Sequence, residues 1–494
     1  MLIDTSDTTS GSNITAISVP ASLEASVPPA LLHRSLRQAP YLVTSAKGLT
    51  ISLSDGRTVL DACGGAAVAC LGHGNEEVLR AVTAQMSSGV SYLHSLTYTT
   101  SAAEELAHEL INGPYGGSRF GLERAYFVNS GSEAMDAALK LARQYFFELE
   151  GPTTTRAHFV ARRQSYHGTT IGAMNVSSNL PRKVPYANFQ PSNVSWVTPA
   201  YQYQYSNWRD GETEEGFATR LVEELDAHFQ SVGPGKVVAF IAEPLVGATS
   251  GCTPAPRGYF AGVRKVCDRH GVLLILDEVM CGMGRTGTQF AFEQEQEGGG
   301  GGGGVVPDIM TMGKGLGGGF MPVAGLLVHK KVLDVLRKGT SSFNHGHTYQ
   351  AHPVGCAATL AVQRIIKRDG VIENCARMGK LLHSLLRETL GPKKYVGEIR
   401  GRGLFWGIEF VKDKETRDSF PPQVGFGPRF QQMAFELGVA VYPGSGTVDG
   451  TKGDHAIISP PYIVTEDELR KIVGVVNEAY ERLEKEVDDA GDGR

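Results

Sequence analysis

The sequence predicts an α/β protein with a large domain on a mostly parallel, helix-covered sheet and a smaller α+β domain beside it. Three observations carry this. Strand and helix patterns alternate between residues 124 and 312, as in chains of βαβ units. Some strands are continuous apolar runs, such as Leu-Leu-Ile-Leu-Asp-Glu-Val at 273–279, which marks burial on both faces. Beyond residue 340 the alternation gives way to two long helices, a strand pair and a final helix.

In chain order, the first 30 residues are rich in Ser, Thr, Ala and Pro, with no basic start before an apolar core. They read as a flexible leader, neither a secretory signal nor, given Asp4, Asp7 and Glu24, a transit peptide. Residues 48–60 alternate around Ser-Asp-Gly-Arg and predict a hairpin. Helices follow at 76–86 and 102–111, then a strand at 124–128 that leads through Asn129-Ser130-Gly131-Ser132 into a helix. On that helix Met135, Ala138, Leu139, Ala142 and Phe146 share one face. Strands are predicted at 157–161, 237–243, 273–279 and 308–312, with helices at 217–229 and 259–270 between them. The glycine run 298–304 can hold neither core nor strand and is a surface-loop insertion. It is not a phosphate loop, since no Lys-Ser or Lys-Thr follows. Helices at 353–368 and 373–390, strands at 396–400 and 404–410, and a helix at 466–484 complete the chain. The acidic stretch 487–494 reads as a disordered tail.

The composition excludes several function classes. A net charge of −5 without a basic block argues against nucleic acid or an anionic membrane as partner. No window is long and apolar enough for a membrane helix. Seven scattered cysteines without a Cys-x-x-Cys pair fit reduced thiols and a cytoplasmic location. His345, His347 and His352 invite a metal reading, but no Cys or acid stands at a supporting spacing, so no metal is expected.

The chemistry is expected where apolar strands end in charge. Asp277 closes one buried run, and Lys314 closes another, Asp-Ile-Met-Thr-Met-Gly-Lys-Gly, between glycines that let a ligand approach. An acid and an isolated amine at two strand ends suggest a cofactor held from two sides. Ser130, Gly131 and Ser132 start a helix, whose free N–H groups attract a phosphate, although a plain N-cap is the stronger local reading.

Six motifs together resemble the class III, fold-type-I pyridoxal-phosphate-dependent aminotransferases, the group of the omega-amino-acid and amine transaminases. They are Asn129-Ser-Gly-Ser-Glu-Ala, Tyr166-His-Gly, Glu243-Pro, Leu276-Asp-Glu-Val with Gly284-Arg-Thr-Gly behind it, Gly313-Lys-Gly and Gly346-His-Thr, in the family's order. The resemblance implies pyridoxal 5'-phosphate as cofactor, Lys314 as Schiff-base lysine and proton carrier, and Asp277 on the pyridine nitrogen. It implies Ser130–Ser132 on the phosphate, Tyr166 and Val279 on the two ring faces, and His167 beside Tyr166. Thr348 would reach the phosphate of a neighbouring subunit, which makes the enzyme at least a homodimer. Glu243 would face the substrate or pair with an arginine. The implied activity is ping-pong amino transfer from an amine or omega-amino acid to an oxo acid, pyruvate or 2-oxoglutarate.

The chain also departs from the family. Ornithine and acetylornithine enzymes carry an arginine three residues before Pro-Pro, where Ile457 stands here. The loop 444–455 contains Lys452 but no arginine, so the mobile arginine of amine transaminases is missing too. Arg402, in a Gly-Arg-Gly bend, is the remaining candidate for a substrate carboxylate. Met280-Cys281-Gly282-Met283 replaces the more usual Gln-Thr-Gly-Phe. A decarboxylase or aminomutase on the same scaffold is the alternative. A nicotinamide-dependent dehydrogenase would need Gly-x-Gly-x-x-Gly after its first strand, and Gly72-x-Gly74 lacks the third glycine. The expected division is a leader (1–34), a first part of the small domain (35–65), the large domain (66–340), the rest of the small domain (341–486) and a tail (487–494).

Overall fold

Aliphatic runs free of internal polar residues form the centre of the molecule, because only strands with helices on both faces can bury them. A computed structural model describes residues 30–37, 39–296 and 304–491. The chain begins with antiparallel strands β1 (Val43–Lys47), β2 (Thr50–Leu53) and β3 (Thr58–Asp61), the predicted hairpin among them. Next come β4 (Leu122–Val128), β5 (His158–Arg162), β6 (Val194–Val197) and β7 (Val237–Ala242). After a short ribbon of β8 (Leu245–Val246) and β9 (Thr253–Pro254) follow β10 (Leu273–Asp277), β11 (Ile309–Met312) and β12 (Ala324–His329).

Seven of these make the main sheet, in the order β4-β12-β11-β10-β7-β5-β6. All its pairs are parallel except those of β12, which runs against both β11 and β4. Side-chain alternation along β10 divides its residues between two cores. Leu273 and Ile275 join Met135, Ala138 and Phe146 of the helix Gly131–Glu150. Leu274 and Leu276 join Phe217, Leu221 and Val263 of the helices Glu214–Val232 and Tyr259–His270. At roughly 1.5–3 kcal/mol per large apolar side chain, burial of this layer is what holds the sheet and its helices together.

The last part of the chain adds β13 (Val396–Arg402), β14 (Phe405–Phe410), β15 (Val439–Ala440), β16 (Tyr442–Ser445) and β17 (Asp454–Ile458). β13, β14, β17 and β16 form an antiparallel sheet, while β15 pairs with β3 and joins the two ends of the chain. The helices Val371–Thr389 and Glu466–Gly491 pack on these strands through Leu382, Leu386, Phe410, Phe430 and Tyr480.

Two differences from the sequence reading stand out. β1, β6, β8, β9, β12, β15, β16 and β17 were not predicted; β6, β8, β9 and β15 are short, and β12 and β16 contain a glycine. The final helix continues to Gly491, so the acidic stretch from 487 is helical as far as described, with Asp488 paired to Lys394. Residues 1–29 of the leader, and the glycine run apart from Gly304, lie outside the described residues.

Candidate active site

The parallel strands end on one edge of the sheet, and what they deliver there meets in a cavity of about 410 Å³. In open α/β sheets this carboxyl edge is where ligands bind. β4 delivers Ser130, Gly131 and Ser132; β5 delivers Tyr166 and His167; β7 delivers Glu243; β10 delivers Asp277 and Val279; β11 delivers Lys314. All nine line the cavity.

Asp277 is the best-supported charge in it. Its Oδ2 accepts a 2.7 Å hydrogen bond from His167 Nδ1. Its Oδ1 accepts from Thr311 Oγ1 at 3.1 Å and from the Val279 N–H at 3.1 Å. Three donors thus fix the orientation of a buried carboxylate. The His167 ring is itself buried, and its Nε2 has no partner among the described residues. Its place is therefore behind the acid. Thr311 was not foreseen; it faces Asp277 across the parallel pairing of β10 and β11. A lone hydroxyl inside Ile-Met-Thr-Met was the available signal.

Lys314 follows an extended Gly313 and has φ +45°, in the left-handed region that a side chain other than glycine's adopts only under strain. Burial pushes its amine below the ordinary lysine value, against the pull of Asp277 and Glu243. Nζ has no hydrogen-bond partner among the described residues, so an amine with raised neutral character points at free space.

The helix Gly131–Glu150 opens its first turn onto the cavity. Ser130 Oγ accepts from the Glu133 N–H at 3.2 Å, and Glu133 Oε2 accepts from the Asn129 N–H at 2.7 Å, a reciprocal cap. The capping reading of Ser130 and Glu133 thus holds in this structure, while the other N–H groups of that turn lack intrahelical partners. Ser132 Oγ accepts from Thr169 N at 3.0 Å and ties the Tyr166-His167-Gly168 turn to the helix. The approach is close: a Cβ on Gly168, at φ +139°, would lie 2.6 Å from Ser132 Oγ, and one on Gly131 would lie 2.8 Å from Val279 Cγ1.

Glu243 is buried, accepts from the N–H groups of Tyr166 (3.2 Å) and Gly247 (3.1 Å), and pairs with no arginine among the described residues. Burial pushes its carboxyl above the ordinary glutamate value, with the His167 ring pulling the other way. Its neighbour in sequence, Glu278, is pushed up to about 8 by burial and accepts the N–H groups of Ala291 and Phe292, away from the cavity.

Two predicted residues are not in this cavity. Arg402 is paired with Glu295 and lines a different pocket; a buried carboxylate holds the nearest guanidinium. That corrects its expected place at the substrate. Thr348 is exposed on the loop between the helices Lys330–Lys338 and Pro353–Arg368 and does not line this cavity. On the same loop His345 and His347 bring their Nε2 atoms within 3.1 Å, but no group of three metal-ligand side chains occurs among the described residues. Sequence reasoning also missed Arg182, which lies over the Tyr166 ring, and an apolar wall that includes Met280 and Met321.

Residues 32–480 match the family model described as Aminotransferase class-III. The chain belongs to the class III aminotransferases. Among its relatives in that family is an aminotransferase of Gibberella zeae, 46% identical over 450 residues, or 91% of this chain and 85% of the relative. An uncharacterized aminotransferase of Schizosaccharomyces pombe is 46% identical over 444 residues, 90% of this chain and 93% of that one. The fold matches the crystal structure of an amine transaminase from an uncultivated Pseudomonas species in its PLP-bound, internal aldimine form. There the TM-score is 0.83 at 29% identity, covering 92% of this chain and 99% of the other. The predicted fold type is therefore the observed one.

Class III aminotransferases use pyridoxal 5'-phosphate, and the cavity of this aminotransferase suits that cofactor. An open helix N-terminus fits the phosphate, a triply supported carboxylate fits the cationic ring nitrogen, and an unpartnered amine fits the aldehyde.

Proposed function

We propose that this aminotransferase moves an amino group from an amine or omega-amino acid to an oxo acid, pyruvate or 2-oxoglutarate, in a ping-pong cycle. The observation that carries the reading is Lys314: a partly desolvated amine, free of hydrogen bonds, in one cavity with a supported Asp277. Bound pyridoxal phosphate supplies the electron sink that acidifies the amine-bearing carbon. Lys314 first holds the cofactor, then takes the proton from that carbon and returns it one position along, which its lowered pKa favours. Asp277 keeps the ring nitrogen protonated, and His167 and Thr311 keep Asp277 aimed.

The N–H groups around Ser130, Gly131 and Ser132 bind the phosphate, and Tyr166 and Val279 cover the ring faces. Glu243, at the cavity wall, faces the substrate. Thr348, exposed on its own subunit, completes the phosphate site of a second copy in a homodimer. All seven cysteines are buried and unpaired, in keeping with a reducing, cytoplasmic setting.

Single amine donors added to the holoenzyme without an acceptor test the reading. Bleaching of the visible cofactor band, and its recovery with pyruvate or 2-oxoglutarate, is the expected result; Lys314→Ala should show neither. Release of carbon dioxide or an isomerised donor would move the assignment to a decarboxylase or aminomutase. No response to any amine would refute it.

A further inference from the structure

We infer that Arg182 binds the carboxylate of the oxo acid, an assignment that rests on the amino-transfer reading above. An oxo acid is best held by a bidentate guanidinium, and the sequence has no arginine at the family's usual places, 457 and 444–455; the lysine of that loop, Lys452, is exposed and does not line the cavity. The structure removes other arginines near the cavity from consideration. Arg402 is tied to Glu295, and Arg162 is buried and donates to the Glu243 carbonyl oxygen. Arg285 is buried and donates to the carbonyls of Leu404 and Pro460.

Arg182 differs from all three. It is half-buried and has no acidic partner among the described residues. Its guanidinium lies 4.8 Å from the centre of the Tyr166 ring, and one nitrogen donates to the Tyr166 hydroxyl at 3.1 Å. Tyr166 is a wall of the cavity; Arg182 does not itself line it, and its guanidinium lies one side chain away, on the Tyr166 ring. A single bond to a neutral phenol is weaker than a bidentate bond to a carboxylate, so the guanidinium gains by exchanging one for the other.

The surroundings hold everything but the Arg182 side chain in place. Its short helix, Leu180–Lys183, is fixed on one flank by Lys183. The Lys183 ammonium donates to the carbonyls of Asn175 (3.0 Å) and Ser177 (2.7 Å) and lies 4.2 Å from the Trp196 ring centre. On the other flank stands the loop that lacks the expected arginine. A Cβ on Gly450 would come within 3.2 Å of Leu180. That loop is in turn held by Gln164 Nε2, which donates to the carbonyls of Gly446 (2.8 Å) and Thr447 (3.1 Å). The segment without the arginine thus buttresses the helix that carries Arg182.

The test compares kcat/KM for pyruvate with kcat/KM for the uncharged aldehyde butanal, each with one uncharged amine donor, in wild type, Arg182→Met and Arg182→Lys. A hydrogen-bonded charge pair predicts that the pyruvate-to-butanal ratio falls about 10- to 100-fold in Arg182→Met, with partial recovery in Arg182→Lys. If Arg182 only supports Tyr166, both substrates lose equally and the ratio stays at the wild-type value, which overturns the inference. If Arg182→Met does not fold, the same ratio in Arg182→Lys decides, a wild-type value again overturning it. A wild-type enzyme that transfers no amino group from any donor refutes the amino-transfer reading itself, a result distinct from an unchanged ratio in an active enzyme.

Discussion

Replacing His167 by phenylalanine isolates one support of the Asp277 carboxylate. The two rings are close in size, so the surrounding packing survives. His167 Nε2 has no hydrogen-bond partner among the described residues, so the substitution strands only one group, Asp277 Oδ2. The bond removed is the shortest of the three that Asp277 accepts, 2.7 Å against 3.1 Å for each of the others. A hydrogen bond to a buried charge contributes about 1.5–3 kcal/mol. At 1.36 kcal/mol per factor of ten, the rate of the donor half-reaction should fall about 10- to 150-fold. Rapid mixing of holoenzyme with an amine donor, followed at the visible cofactor band, measures that rate directly. His167→Asn, whose amide can offer a donor near the position of Nδ1, should recover part of the loss. A folded, cofactor-loaded His167→Phe enzyme that reacts within about twofold of wild type would mean that Asp277 does not depend on this bond.

Gly168→Ala should destabilise the enzyme by about 2 kcal/mol, seen as a lower urea midpoint, and weaken cofactor retention on dialysis. The added carbon meets Ser132 Oγ at 2.6 Å and has to adopt φ +139°. Because burial favours the neutral amine of Lys314, cofactor uptake by the apoenzyme should rise with pH along a limb centred below the ordinary lysine value of 10.5; a limb at that value would contradict the burial argument. The pair of His73 Nε2 and Asp61 Oδ2, 2.9 Å apart, links the end of β3 to the segment before the helix Glu76–Ser87. The Asp61 hydrogen bond raises the His73 pKa, so its stabilisation is full below the unfolded value of 6.5 and is lost as pH rises through the folded value. The stability difference between wild type and His73→Gln should therefore be about 1 kcal/mol near pH 5.5 and shrink by about pH 9, measured by urea unfolding.

The sequence by itself pointed to the chemistry-bearing residues in two ways, through short-range rules and through the resemblance of its motifs to the family's. An apolar run that ends in Asp277, a lysine between glycines at a strand end, and serines at a helix start can be read from a few neighbouring residues. Tyr166, His167, Glu243 and Val279 followed only from the family's motifs, and all of these residues line one cavity. Only the tertiary structure decided which strands are neighbours. Alternation and apolarity say that a strand is buried, not beside what, so the placing of β12 antiparallel between β4 and β11 was invisible, although it sets β4 two places from β11 and so spaces the helix start from Lys314. The partners of charges were decided the same way. Thr311 reaches Asp277 through strand register, Glu295 takes Arg402 from a distant segment, and Arg182 meets Tyr166 across a turn. Such pairings depend on contacts between residues far apart in sequence, and no local pattern encodes them.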